Sequence, residues 1–232
     1  PEADGSWRLF TGNELGVLLL DYICRQRTAQ GTMPRNPVAV MSIVSTPMAA
    51  RVAEHWGVEM RRVLTGFKYI GDVMNQLTGM HVRDKDAVNA ALLVCEMAAH
   101  YKLEGKTLCA VMDGLYAEYG TYYTKADSFA FAGVGAMERM GAVMDQLRAE
   151  HLPEIAGTAV TGFTDYRDTS ATGLPSADVL TWELADGCAV TARPSGTEPK
   201  LKLYFTVRAG SREECLQRYD ALRAAMTGAA GL

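Results

Sequence analysis

Apolar residues along this chain group into amphipathic helices and short strands, and the mix changes near Gly120. Thr11-Gly-Asn-Glu14 has the form of a capping box, and the helix it opens, reaching about Thr28, carries Leu15, Leu18, Leu19, Tyr22 and Ile23 on one side. Ahead of it, Trp7 to Phe10 reads as the end of a strand or hairpin. Val38 to Ser45 is a β-branched run. Thr46 and Pro47 then read as the N-cap and first residue of a helix over Met48 to Trp56, and Glu59 to Leu64 as a strand. Strand, helix and strand in this order predict a sheet with parallel pairs and helices packed over it. Val82-Arg-Asp-Lys-Asp86 opens a long helix to about Lys102, with Val88, Ala91, Leu92, Cys95 and Ala99 as its apolar stripe, and Lys106 to Tyr119 is a further helix. His100 reads as a surface or capping residue.

Beyond Gly120 strands dominate. Thr121 to Phe131 is rich in tyrosine and threonine, and further strands are predicted at Thr158 to Phe163, Val179 to Leu184 and Cys188 to Ala192, with Asp186-Gly187 as a hairpin turn. Leu201, Leu203, Phe205 and Val207 alternate with Lys202, Tyr204 and Thr206, so one face is buried and the other carries polar groups. Gly135 to Glu150 is amphipathic, with Met137, Met140, Val143, Met144 and Leu147 facing inward as ordinary core. Ser211-Arg-Glu-Glu214 is a second capping box. The helix it opens is lined by Cys215, Leu216, Tyr219, Leu222 and Met226 and stops at Gly228.

At 232 residues and 48% hydrophobic composition the chain can bury a core and is long enough for two modest domains. A net charge of -4 argues against a general nucleic-acid binder. Cys24, Cys95, Cys109, Cys188 and Cys215 show neither a Cys-x-x-Cys pair nor metal-ligand spacing, and read as reduced core residues of a cytosolic protein. No apolar run approaches the roughly 20 residues of a membrane span, and Pro1 to Trp7 has no signal-peptide character. With no initiator Met, Pro1 is expected not to be the natural start of the gene product.

Anion-binding chemistry concentrates in Thr191-Ala-Arg-Pro-Ser-Gly-Thr-Glu-Pro-Lys200, between two strands. Arg193 offers a planar fork of donors, Ser195 and Thr197 offer hydroxyls, Gly196 lets a ligand approach the backbone amides, and Lys200 adds a compact positive charge. Pro194 and Pro199 fix backbone angles at both shoulders, so the donors are expected to be held in place before a ligand arrives. The segment is neither a Walker loop nor a dinucleotide fingerprint, because it lacks Gly-x-x-x-x-Gly-Lys and runs strand to strand. Lys68, in Thr65-Gly-Phe-Lys68, falls at the carboxyl end of the second strand, where open α/β sheets place ligands, and from position alone it is equally a solvated lysine on a first helical turn. Phe67, Tyr69 and Ile70 read as core. Arg83, Asp84, Lys85 and Asp86 read as a structural charge cluster at a helix start, not a metal site.

Arg193-Pro-Ser-Gly-Thr-Glu-Pro-Lys200 resembles, at eight consecutive positions, the phosphate-binding loop of the α-D-phosphohexomutases, in the phosphoglucomutase and phosphomannomutase branch. Thr65-Gly-Phe-Lys68 resembles a recurrent segment of the same family whose lysine lies near the sugar phosphate, and Arg83 to Ala87 is similar to its Arg-Asp-Lys-Asp-Ala segment. The resemblance covers nearly the whole chain but only the carboxyl-terminal half of the family. It implies the end of a preceding domain at residues 1–10, an α/β mixed-sheet domain with flanking helices at 11–119, and a C-terminal α+β domain of TATA-box-binding-protein-like shape at 120–232. It also implies interconversion of hexose 1-phosphate and hexose 6-phosphate through a phosphoserine and a hexose 1,6-bisphosphate. Mg²⁺ would be held outside this chain. Arg193, Ser195, Gly196, Thr197 and Lys200 would form the substrate phosphate site, with Lys68 as a catalytic candidate.

The family's Thr-x-Ser-His-Asn-Pro and Asp-Gly-Asp-x-Asp-Arg segments do not occur here, so the chain is expected to need the missing N-terminal domains of the same protein and to be inactive alone. The Gly-Glu-Glu-Ser-x-Gly sugar-recognition loop is also absent where Leu77-Thr-Gly-Met-His81 runs, which leaves sugar specificity open. The expected setting is cytoplasmic, with a hexose phosphate as substrate and neither nucleic acid nor membrane as partner. A noncatalytic sugar-phosphate-binding regulatory module is the alternative, and a start codon just before Pro1 would favour it. A protein-interaction domain has no positive feature in its support.

Overall fold

A computed structural model describes residues 2, 4–77 and 87–232. The chain divides into two compact units, Pro1–Gly120 and Thr121–Leu232. The first contains α1 (Gly12–Ala29), β1 (Val38–Ser42), α2 (Met48–His55), β2 (Glu59–Val63), α3 (Phe67–Leu77), α4 (Ala87–Leu103) and α5 (Leu108–Tyr119). β1 and β2 pair in parallel, Val38 opposite Glu59 through Ser42 opposite Val63. The opening capping box is present: the Glu14 amide donates to Thr11 Oγ1 at 3.2 Å, and the Thr11 amide donates to Glu14 Oε2 at 2.8 Å. The buried side of α1 matches the apolar stripe read from sequence only at Leu18 and Tyr22. Glu14, Val17, Leu18, Asp21 and Tyr22 face inward, while Leu15, Leu19 and Ile23 are half-buried. Two acids can be buried there because each is hydrogen-bonded. Glu14 also accepts from the Tyr116 hydroxyl at 3.0 Å, and Asp21 from the Trp56 indole at 2.9 Å and from Arg25 at 3.2 Å.

Several expectations in this unit need correction. Trp7 to Phe10 forms no strand; Trp7 and Leu9 are exposed, and Arg8 is tied to Asp113 at 2.9 Å and to the Cys109 carbonyl at 3.0 Å. Val88, Ala91, Leu92, Cys95 and Ala99 lie on the exposed side of α4, whose buried residues are Met97 and Tyr101. This helix is apolar nearly all round, so periodicity alone cannot choose its inward face. Polar bonds to α1 do: Tyr22 donates to Glu96 at 3.0 Å, and Gln26 meets His100 at 3.0 Å. His100 therefore packs between helices, with its ring 5.4 Å from that of Tyr22. Val82 to Asp86, read as opening α4, and Thr78 to His81 lie outside the described residues.

The second unit is a helix-backed antiparallel sheet: β3 (Thr121–Ala130), α6 (Ala136–Ala149), β4 (Glu154–Ile155), β5 (Thr158–Asp165), α7 (Thr169–Thr172), β6 (Leu180–Leu184), β7 (Ala189–Pro194), β8 (Lys200–Ala209) and α8 (Arg212–Ala230). The strand order is β3-β8-β7-β6-β5-β4. On β8, Leu201, Leu203, Phe205 and Val207 are fully buried, each contributing about 1.5–3 kcal/mol of transfer free energy. They meet Met140, Met144 and Leu147 of α6 and Tyr219, Leu222 and Met226 of α8 in one core. Met137, expected to face inward, is exposed. α8 runs past Gly228 and is capped by Gly231 in the left-handed conformation at φ 64°.

Candidate functional site

The segment from Arg193 to Lys200 is the hairpin joining β7 to β8, and its backbone is pinned on both sides. The Ser195 amide donates to the Lys200 carbonyl at 2.8 Å, the Lys200 amide donates to the Glu198 carbonyl at 2.7 Å, and the Phe131 amide, just past β3, donates to the Pro199 carbonyl at 2.8 Å. Within this frame the Thr197 amide donates weakly to Ser195 Oγ at 3.4 Å, which leaves the Ser195 hydroxyl proton free to be given elsewhere. The amides of Gly196 and Glu198 have no acceptor among the described residues. Gly196 is exposed and outside the left-handed region, and an added Cβ would meet nothing within 4 Å. Neither backbone strain nor crowding by the protein requires glycine there, and the space over it is open.

The hairpin brings together Arg193, Ser195, Gly196, Thr197 and Lys200. Arg193 is half-buried at the end of β7, flanked by Ala192, which is fully buried, and among the described residues its guanidinium has neither a carboxylate nor a hydrogen-bond partner. Lys200 is held differently, with Nζ 3.1 Å from Glu198 Oε2 in a pair largely open to solvent. Such a pair stabilises by at most about 1 kcal/mol and exchanges easily for another anion. Two unengaged amides, two hydroxyls, a free guanidinium and a weakly paired ammonium can together bind a small, doubly charged oxyanion.

Lys68 lies in the other unit. It is exposed on the first turn of α3, and its ammonium sits 4.7 Å from the Tyr69 ring centroid. The turn before it uses Gly66 at φ 145°, and the buried Thr65 Oγ1 has no hydrogen-bond partner among the described residues. Phe67, Tyr69 and Ile70, expected as core, are only half-buried. Among the described residues, no group of three or more His, Cys, Asp or Glu side chains converges to hold a metal ion, and no helix is long and apolar enough to cross a membrane. Four cysteines are buried; Cys95 is exposed, contrary to the expectation of a core residue. Lys202, read from sequence only as part of a polar face, stands directly opposite Arg193 across the hairpin.

A helix-backed antiparallel sheet and an α/β unit carried on one chain have counterparts among known proteins. Residues 11–119 match the family described as phosphoglucomutase/phosphomannomutase, alpha/beta/alpha domain III. A probable phosphomannomutase of Haemophilus influenzae is 34% identical over 90% of this chain and 43% of its own length. A phosphoglucomutase of Staphylococcus aureus strain RF122 is 31% identical over 95% of this chain and 44% of its own. The phosphoglucomutase parafusin of Paramecium, in an open form, superposes with a TM-score of 0.66 at 16% identity, over 97% of this chain and 42% of that one. An N-acetylphosphoglucosamine mutase of Aspergillus fumigatus, solved with glucose 1,6-bisphosphate, gives a TM-score of 0.52 at 12% identity, over 99% of this chain and 45% of that one. The chain belongs to the phosphoglucomutase/phosphomannomutase family, and it spans less than half the length of the curated relatives it matches.

Proposed function

We propose that this chain is the carboxyl-terminal portion of a phosphohexomutase that interconverts hexose 1-phosphate and hexose 6-phosphate, and that the β7–β8 loop holds whichever phosphate is not reacting. The observation that carries this reading is Arg193, a half-buried guanidinium with no partner among the described residues, at the mouth of a loop whose free amides and hydroxyls are already in place. A cation left unpaired in a partly desolvated position is costly unless a ligand completes it.

Phosphoryl transfer to one end of a sugar, followed by transfer from the other, requires a second phosphate site that accepts the sugar in both orientations. A loop whose donors reach only phosphate oxygens meets that requirement, since a phosphate presents the same three oxygens from either end. Arg193 would grip two of them in parallel, the Gly196 and Glu198 amides and the Ser195 and Thr197 hydroxyls would complete the shell, and Lys200 would exchange Glu198 for the ligand. Lys68 would stabilise developing charge or move a proton at the transferring group. Magnesium would supply charge neutralisation at that group. The reading assigns metal and nucleophile to the part of the relatives' length that this chain does not span. A hexose 1,6-bisphosphate is the intermediate this scheme requires, and the relative from Aspergillus was solved with such a molecule.

Steady-state kinetics on a polypeptide of the relatives' full length test the reading. Arg193→Ala is expected to raise KM for glucose 1-phosphate and glucose 6-phosphate alike, by about one to two powers of ten. Lys68→Met is expected to lower kcat while leaving Tm nearly unchanged. A KM effect confined to one substrate, or turnover by the 232-residue chain alone in contaminant-free protein, defeats the assignment.

A further inference from the structure

A cleft of about 380 Å³ opens in the first unit between α1, the carboxyl end of α4 and α5. Small-molecule sites run from roughly 300 to 1,000 Å³, so the space suits a small ligand. At its base lies Tyr101, 3% exposed, whose buried hydroxyl has no hydrogen-bond partner among the described residues. Asp21, Arg25 and Glu104 act on this hydroxyl electrostatically and line the same cleft, so the oxygen end of the ring faces the space. Arg25 can only donate, which leaves the hydroxyl proton without an acceptor. Burial first, and the Asp21 charge second, hold the hydroxyl above its ordinary value and keep that proton in place at neutral pH. A buried donor with no acceptor costs free energy that an incoming oxygen would return.

The acids around the cleft are already engaged. Asp21 accepts from Trp56 at 2.9 Å and from Arg25 at 3.2 Å, Glu104 pairs with Lys106 at 2.9 Å, and Glu118 lies 3.5 Å from His55. What the cleft has left to give is donors: the Tyr101 hydroxyl and the N–H groups of Arg25 that Asp21 does not take. Donors of this kind suit a carboxylate. A simple anion is disfavoured, because three carboxylates line the cleft against the two cations Arg25 and Lys106. A zwitterion escapes that repulsion by turning its ammonium toward Glu104 and Glu118, whose side chains are 41% and 52% exposed and keep lone pairs to spare. On α5, Ala110, Val111 and Leu115 supply an apolar wall.

We propose that this cleft binds a free aliphatic α-amino acid, with its carboxylate on Tyr101 and Arg25, its ammonium toward Glu104 and Glu118, and its side chain against Val111 and Leu115. The site shares no residue with the phosphate loop or with Lys68, so it stands independently of the function proposed above. Each feature of the ligand answers one feature of the cleft: free donors, surplus acid at the rim, and an apolar wall.

The test titrates L-leucine into the 232-residue chain and its variants by calorimetry, with melting curves recorded without ligand. 4-Methylpentanoate, which lacks the ammonium, and isopentylamine, which lacks the carboxylate, serve as partial ligands, and each is expected to bind at least about tenfold more weakly than leucine. Tyr101→Phe is expected to weaken leucine binding about tenfold while melting no lower than the parent, because it removes a hydroxyl that has no acceptor. Gly114 lines the cleft from α5, and a Cβ added there meets nothing within 4 Å, so Gly114→Leu is expected to fill the space and abolish binding without lowering the melting temperature. Lys68→Met is expected to bind leucine like the parent. A parent chain that takes up no leucine overturns the site. A partial ligand that binds as tightly as leucine overturns the zwitterion, and a Tyr101→Phe that melts well below the parent without ligand shows a hydroxyl already bonded within the protein and ends the proposal.

Discussion

Two arginines of the second unit should respond to truncation in opposite ways, and the structure says by how much. Arg148, in the last turn of α6, is about four-fifths buried and bonded to Asp165 at 2.7 Å, Asp178 at 2.5 Å and Asp145 at 2.8 Å, so it ties the helix to β5 and to the segment entering β6. Arg148→Ala takes its guanidinium from Asp165 and Asp178, whose side chains are 23% and 33% exposed, and leaves them the Arg167 amide at 3.0 Å and the Arg167 guanidinium at 3.1 Å. That burial puts the cost between an exposed pair and a fully buried one, about 1–3 kcal/mol. At about 4–8 °C per kcal/mol for a unit of this size, Tm should fall by roughly 5–20 °C. Arg193→Ala removes a guanidinium with no partner among the described residues and relieves its repulsion with Lys202, so stability should stay within about 0.5 kcal/mol. Phosphate affinity should invert the order: Arg193→Ala should lose about one to two powers of ten, and Arg148→Ala, measured below its Tm, almost nothing. Scanning calorimetry of the 232-residue chain and phosphate titration of both variants supply the four values. Equal losses of Tm, or equal losses of phosphate affinity, would show that partnering in the structure does not separate a binding arginine from a structural one.

Thiol chemistry should separate the cysteines by burial: iodoacetamide at pH 8 should modify Cys95 rapidly, and Cys188, whose thiol burial pushes up to about 11, only on unfolding; fast labelling of Cys188 in native protein, read by peptide mass spectrometry, would contradict its place in the core. Alkali should loosen the first unit through Tyr22, whose hydroxyl is pushed from 10.0 up to about 12 by burial first and by its bond to Glu96 second. Because the folded value is raised, this contribution of about 2–3 kcal/mol is complete below pH 10 and lost as pH rises toward 12. Tyr22→Phe should flatten the fall of stability over that interval in denaturant titrations, and an unchanged slope would refute the coupling.

Local chemistry made much of this protein legible in its sequence. The Thr11 and Ser211 caps, the Asp186-Gly187 turn and the alternation on β8 depend on residues within a few positions of one another, and each appears where its pattern places it. The β7–β8 hairpin is legible for the same reason: Arg193 to Lys200 is contiguous, and its frame of hydrogen bonds closes within the hairpin except at Phe131. What needed tertiary structure was every choice among equivalent faces. α4 is apolar all round, so its inward side was set by Tyr22 and Gln26 on another helix, and the stripe read from periodicity points outward. The buried side of α1 includes Glu14 and Asp21 because Tyr116 and Trp56, far along the chain, bring hydrogen bonds to them. Lys202 reads as one more polar residue of an alternating strand until pairing sets it against Arg193, since register is decided between strands and no single strand contains it.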